Sequence, residues 1–103
     1  MKHRVYFSTL AVLKLKEIVK YLEGNWPPNV KQEFLEKLDQ TKLLISKYPE
    51  TFPISKSFPG LYKCTLTKHN TIFYRIHKNE IEIVTLFDSR QHPQKLKKEI
   101  RKK

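Results

Sequence analysis

The clearest periodicity in the chain lies between positions 28 and 47. There Val30, Phe34, Leu38, Thr41 and Ile45, continued by Tyr48, step by three or four residues. That spacing lines them along one side of an α-helix, with Leu35, Leu43 and Leu44 widening the stripe. Pro28 suits the first turn, because the amides there have no intrahelical acceptor. Upstream, Ala11, Leu15, Ile18 and Leu22 predict a helix over 10–23, with Lys14, Lys16, Glu17 and Lys20 on its wet side. Ser8 or Thr9 offers an N-cap oxygen, Gly24 a stop, and Asn25-Trp26-Pro27-Pro28 a stiff turn. So short a link predicts an antiparallel helical hairpin.

The period changes to two after position 60. Tyr62, Cys64 and Leu66 alternate with Lys63, Thr65 and Thr67, predicting a strand over 61–67. Ile72, Tyr74 and Ile76 alternate with Thr71, Phe73, Arg75 and His77, predicting a second over 71–77. Residues 81–87 are apolar on both faces apart from Glu82 and Thr85, as a central strand would be. Lys68-His69-Asn70 supplies one turn and Lys78-Asn79 a tight hairpin, since Asn tolerates positive φ. Val5-Tyr6-Phe7 predicts a short strand at the start. Pro49, Pro53 and Pro59 forbid helix across an irregular crossing that ends at Gly60. The expected fold class is α+β, in the order β-α-α-β-β-β, with the helical hairpin packed on an antiparallel sheet. Tyr62, Cys64, Leu66, Ile72, Tyr74 and Ile76 should face the helices, leaving Lys63, Thr65, Thr67, Thr71, Phe73, Arg75 and His77 on the open face.

Length sets the scale: 103 residues make one domain with one modest core, followed by a basic tail over about 94–103. Charge narrows the partners. Twenty-one Lys and Arg against ten Asp and Glu give a net +11, which draws a small domain toward nucleic acid, the ribosome or a strongly acidic protein. A single cysteine, Cys64, excludes an internal disulfide and a Cys-rich zinc site. Two glycines rule out glycine-rich phosphate loops. No window reads as a membrane span or a signal-peptide core, so a cytoplasmic protein with no membrane partner is expected.

Candidate chemistry concentrates on the predicted open face and just beyond the last strand. Lys63 is either a compact charge for phosphate or a solvated strand lysine. Arg75 lies beside Phe73, where guanidinium and ring could contact bases or a protein target. Alternatively, Arg75 pairs with Glu80, Glu82 or a helix carboxylate. Arg90 follows the last strand, where a rigid sheet can aim a loop residue at a phosphate; a purely structural sheet-end arginine is the other reading. His92 is the histidine nearest Arg90 and suits general acid–base work. His92 shares no metal-ligand spacing with another histidine and a carboxylate, so no metal and no small-molecule cofactor are expected. Lys97 and Lys98, within the charged tail, would anchor polyanions nonspecifically or simply be solvated.

Four motifs in this order resemble the RelE/ParE superfamily of toxins from type II toxin–antitoxin modules, over nearly the whole chain. They are Leu15-Lys16-Glu17-Ile18-Val19-Lys20-Tyr21-Leu22, the Tyr48-Pro49 bend, Gly60-Leu61 opening a strand, and Tyr74-Arg75-Ile76. They look most like the ParE branch. The resemblance implies a small α/β sandwich, growth inhibition, and neutralisation by a cognate antitoxin whose C-terminal segment wraps the toxin. ParE-like members poison DNA gyrase and are not enzymes in their own right. RelE-like members cleave mRNA in the ribosomal A site, using two lysines, two arginines and often a tyrosine. The first lysine corresponds to Lys63 and the post-strand arginine to Arg90. The second lysine corresponds to Thr65, the mid-sheet arginine falls near Thr71, and the tyrosine near Leu96. Three of five positions therefore depart, removing charges that would stabilise the transition state. The last strand ends Phe87-Asp88-Ser89-Arg90, without the histidine and paired arginines common there in ParE. Gyrase and ribosome-bound mRNA both stay open as targets, as does a catalytic set of Lys63, Arg90 and His92. A non-toxic RNA- or ribosome-binding module, or an inactive toxin homologue, is the alternative from another class.

Overall fold

Ser8 shows how local capping and the tertiary fold are joined. Its Oγ accepts from the Ala11 amide at 3.0 Å, opening the first helix, and donates to the Val84 carbonyl at 2.6 Å. One hydroxyl thus caps a helix and ties it to a strand 76 residues away. The computed structural model describes residues 3–88. The elements are β1 (Arg4–Phe7), α1 (Thr9–Asn25), α2 (Pro28–Lys47), β2 (Tyr62–Thr65), β3 (Asn70–His77) and β4 (Glu80–Asp88).

The two helices pack on a four-stranded sheet of order β1-β4-β3-β2. The meander β2-β3-β4 is antiparallel and β4 is central, as its two-sided apolar pattern predicts. β1 pairs with β4 in parallel, Val5 opposite Ile81 and Phe7 opposite Ile83, so the sheet is mixed rather than wholly antiparallel. Strand polarity here depends on how the intervening hairpin crosses the sheet, which no short window reveals.

A bulge in β4 decides which residues reach the core. Phe73 pairs with Thr85 and Tyr74 with Ile83, leaving Val84 as the extra residue. Strict alternation from Ile81 and Ile83 would put Thr85 on the helix side. The extra residue puts Leu86 there instead, and Ile81, Ile83 and Leu86 all join the main core. That core also takes Ala11, Phe34, Leu38 and Ile45 from the helices and Cys64, Leu66, Ile72 and Tyr74 from the meander. Val84 turns to the opposite face, where it packs with Leu61 and Phe73.

The helices depart from the sequence reading at several positions. α1 runs through Gly24 to Asn25, and Lys14, expected on the wet side, is 5 % exposed. Leu43, Leu44 and Tyr48, expected within the apolar stripe, are exposed. Leu43 lies on the far side of α2 from Phe34, Leu38 and Ile45 and Leu44 at the stripe's edge, while Tyr48 follows the helix's last residue. After α2, the Tyr74 hydroxyl donates to the Pro49 carbonyl at 2.8 Å and holds the bend. Gly60 ends the crossing with φ +88°, a left-handed conformation that glycine adopts without penalty. In the β3–β4 hairpin the positive φ falls on Lys78 rather than Asn79.

Candidate target-binding face

The helices cover one side of the sheet. On the other, cross-strand register sets Lys63 beside Phe73, Thr65 beside Thr71, and Arg75 beside Glu82. Lys63, Thr65 and His77 are exposed, as alternation predicts. Phe73 is not: it is 7 % exposed and packs edge-on against Phe58, with ring centroids 5.8 Å apart. The proline-bounded crossing lies along the β2 edge. It is held there by a Ser55 amide bond to the Leu61 carbonyl (2.7 Å) and a Lys63 amide bond to the Pro53 carbonyl (2.9 Å). Phe58 therefore reaches the sheet and closes over Phe73. Phe73 is a packing residue here, unavailable as an open stacking platform.

Arg75 takes its structural alternative. Its Nε donates to Glu82 Oε1 at 2.9 Å, and His77 Nε2 lies 3.2 Å from the same oxygen. The Glu82 side chain is 16 % exposed against 39 % for Arg75, so the carboxylate is the sheltered hub of the cluster. Of the acidic partners weighed for Arg75, Glu80 instead engages Arg4, whose guanidinium also lies over the Tyr6 ring.

Lys63 borders a hollow of about 560 Å³ shared with Ile54, Lys56, Phe58, Phe73 and Phe87. Lys56 is a second cation at this site that sequence reasoning passed over as part of a connector. The signal available was a basic residue between Pro53 and Pro59, two positions from Phe58. Arg90, His92, Lys97 and Lys98 lie outside the described residues.

Burial pushes the Cys64 thiol and the Tyr74 phenol above their ordinary pKa ranges, with Cys64 and Tyr62 adding to the rise at Tyr74. Both groups stay protonated near neutral pH and supply no anionic nucleophile. Among the described residues, no cluster of three His, Cys, Asp or Glu could hold a metal ion, and no helix is long and apolar enough to cross a membrane. The face can therefore bind through lysines and an aromatic hollow, beside an arginine engaged by a carboxylate.

Comparison with known proteins places this geometry. The chain superposes on a chromosomal ParDE system from P. aeruginosa with a TM-score of 0.71 and 17% identity, covering 84% of this chain and 96% of that one. It superposes on the RelBE2 toxin–antitoxin complex of Mycobacterium tuberculosis with a TM-score of 0.56 and 17% identity, covering 85% and 99%. The YoeB dimer of Staphylococcus aureus gives 0.58 and 18%, covering 84% and 97%. At these identities the likeness is one of fold. No curated protein matches by sequence. A family model described as the ParE toxin of the type II toxin–antitoxin system parDE matches residues 5–93. The chain belongs to the ParE toxin family of type II toxin–antitoxin systems.

Proposed function

We propose that this toxin arrests growth by binding and poisoning DNA gyrase, and that a cognate antitoxin neutralises it. The chemistry of the open sheet face carries the reading. Cleaving mRNA through its own 2′-hydroxyl needs cations gathered around one phosphate as charge develops. Where RelE-like members carry the two lysines and mid-sheet arginine, this face has Lys63, Thr65 and Thr71. Arg75 is engaged by Glu82, which lowers its availability to a phosphate. Lys63 and Lys56 then act as docking charges beside an aromatic hollow, and Arg90, His92, Lys97 and Lys98 add contacts from the C-terminal residues.

Family membership supports the same target, because ParE-like members are gyrase poisons. A net charge of +11 favours approach to a polyanion such as gyrase-bound DNA. The P. aeruginosa and M. tuberculosis relatives, solved as a ParDE system and a RelBE2 complex, support an antitoxin partner. Purified chain is expected to block plasmid supercoiling by gyrase and to trap cleaved DNA, while mRNA in a purified translation system keeps its 5′ ends. New mRNA ends at A-site codons, with gyrase unaffected, would overturn the proposal and assign ribosome-dependent cleavage. Harmless expression in several hosts would remove toxicity altogether.

A further inference from the structure

On the open side of the sheet, one wall of the 560 Å³ hollow is a turn held by its own hydrogen bonds. The Phe58 amide donates to Ser55 Oγ at 3.2 Å, and the Leu61 amide donates to the Phe58 carbonyl at 3.1 Å. Ser55 is itself buried, so Lys56 and Phe58 are carried on a fixed wall rather than a loose loop. Phe73 is the buried ring of the lining, while Phe58 and Phe87 are half-buried and Ile54 is exposed. The volume lies in the range of about 300–1,000 Å³ at which small-ligand sites occur, and a site whose wall is already ordered loses little freedom on binding.

Charge says which kind of ligand fits. Arg4, Lys31 and Arg75 each engage a carboxylate, but Lys56 and Lys63 are exposed and meet none among the described residues. The described lining of the hollow holds no acidic residue, whereas the hollows on the helix side carry Glu17, Glu33 and Asp88. Two cations beside half-buried rings match a ligand that is anionic at one end and flat and aromatic at the other, as a nucleotide is. An acidic peptide supplies the charge without the ring. The rings lie between the turn and the sheet, so a base reaches them only after leaving its stack, which costs least where the base is unpaired.

We infer that this hollow holds a nucleotide of single-stranded DNA, its base against Phe58 and Phe87 and its neighbouring phosphates on Lys56 and Lys63. The inference rests on the gyrase reading and adds to it a direct contact with the DNA. Strand cleavage by gyrase supplies unpaired nucleotides, and a toxin seated on one opposes religation of the break.

The test titrates the full chain onto a fluorescein-labelled single-stranded DNA by anisotropy at several salt concentrations, with the same sequence as duplex and as RNA for comparison. The single strand is expected to bind about tenfold tighter than the duplex. Lys56→Gln and Lys63→Gln should each make the slope of log affinity against log salt shallower by about 0.7, the worth of one phosphate contact on a single strand. Lys20→Gln, exposed on α1, should leave that slope unchanged. Phe58→Leu should weaken binding about tenfold through lost stacking, and Phe87→Leu decides if that variant fails to fold. An equal loss in Lys20→Gln, unchanged binding in both hollow lysine variants, or preference for the duplex would overturn the site. Tighter binding of the RNA would overturn DNA as its occupant. Gyrase poisoned by a wild type that ignores single strands would overturn this inference and leave the gyrase reading intact. Single strands held in the hollow with gyrase unaffected would overturn the gyrase reading and leave the nucleotide site.

Discussion

Changing Tyr74 to Phe removes one oxygen from the centre of the molecule. Tyr74 is 0 % exposed, stacked on Tyr62 with centroids 5.3 Å apart and edge-on to Phe52 at 6.3 Å. Its hydroxyl donates to the Pro49 carbonyl at 2.8 Å, joining β3 to the bend after α2. Phenylalanine keeps the rings and leaves a buried carbonyl without its donor, at a cost of about 1–3 kcal/mol. Each kcal/mol is worth about 4–8 °C in Tm for a domain of this size. The pH dependence sharpens the test. Burial raises the folded-state pKa of Tyr74 above that of the unfolded phenol. The native state therefore holds its proton where the unfolded state has lost it, and the associated stability is present below about pH 10 and lost above. Through that range the wild type should lose about 1.4 kcal/mol per pH unit that Tyr74→Phe does not lose. Urea denaturation of both proteins from pH 7 to 11 measures this directly. The wild type should be the more stable at pH 7, and the gap should close as pH rises. Equal stability at pH 7, or parallel alkaline curves, would refute the assignment of a buried, bonded phenol.

Other perturbations follow from the same packing. Leu38→Ala, at 4 % exposure in the main core, should cost about 2–5 kcal/mol and abolish toxicity through unfolding, as circular dichroism would report. Gly60→Ala meets no atom within 4 Å but must adopt φ +88°, so thermal denaturation should show a loss of about 1–2 kcal/mol. Gly24→Ala, in helix with open space around it, should instead stabilise by about 0.5–1 kcal/mol. Glu82→Gln, at a partly exposed pair, should change stability by less than about 1 kcal/mol in the same assay. Lys63→Ala should reduce growth inhibition with an unchanged Tm, since Lys63 is exposed; wild-type toxicity in that variant would remove it from the binding face.

The candidate site was legible in the sequence only where one strand suffices to locate it. Lys63 was assignable to the open face because alternation along β2 needs no partner strand. Arg75 alternated correctly too, yet its partner came from the β3–β4 register, which sets it opposite Glu82. Phe73 carried a misleading signal, since nothing in its own strand says that Phe58, fifteen positions earlier, will cover it. Asn70 read as a turn residue, because its burial arises from two helices that meet there. Lys14 was misplaced as well. Its helical position, three after Ala11 and four before Ile18, flanks the stripe, and only its charge assigned it to the wet side; the side chain is 5 % exposed.

What the chain by itself determined was local. Stripes of period three to four set the two helices, and α2 begins and ends at Pro28 and Lys47 as its pattern predicts. Period two set the meander strands, and Gly60 marked the one described place where glycine's backbone freedom is required. These features depend on φ/ψ preferences and side-chain spacing within a few residues. The tertiary structure alone decided the parallel β1–β4 pairing and the bulge at Val84. It also decided the closure of Phe58 over Phe73 and the pairing of Arg75 with Glu82. Each of these depends on which distant surface arrives at a residue, and that is settled by the joint burial of both helices on one sheet rather than by any segment's own preference.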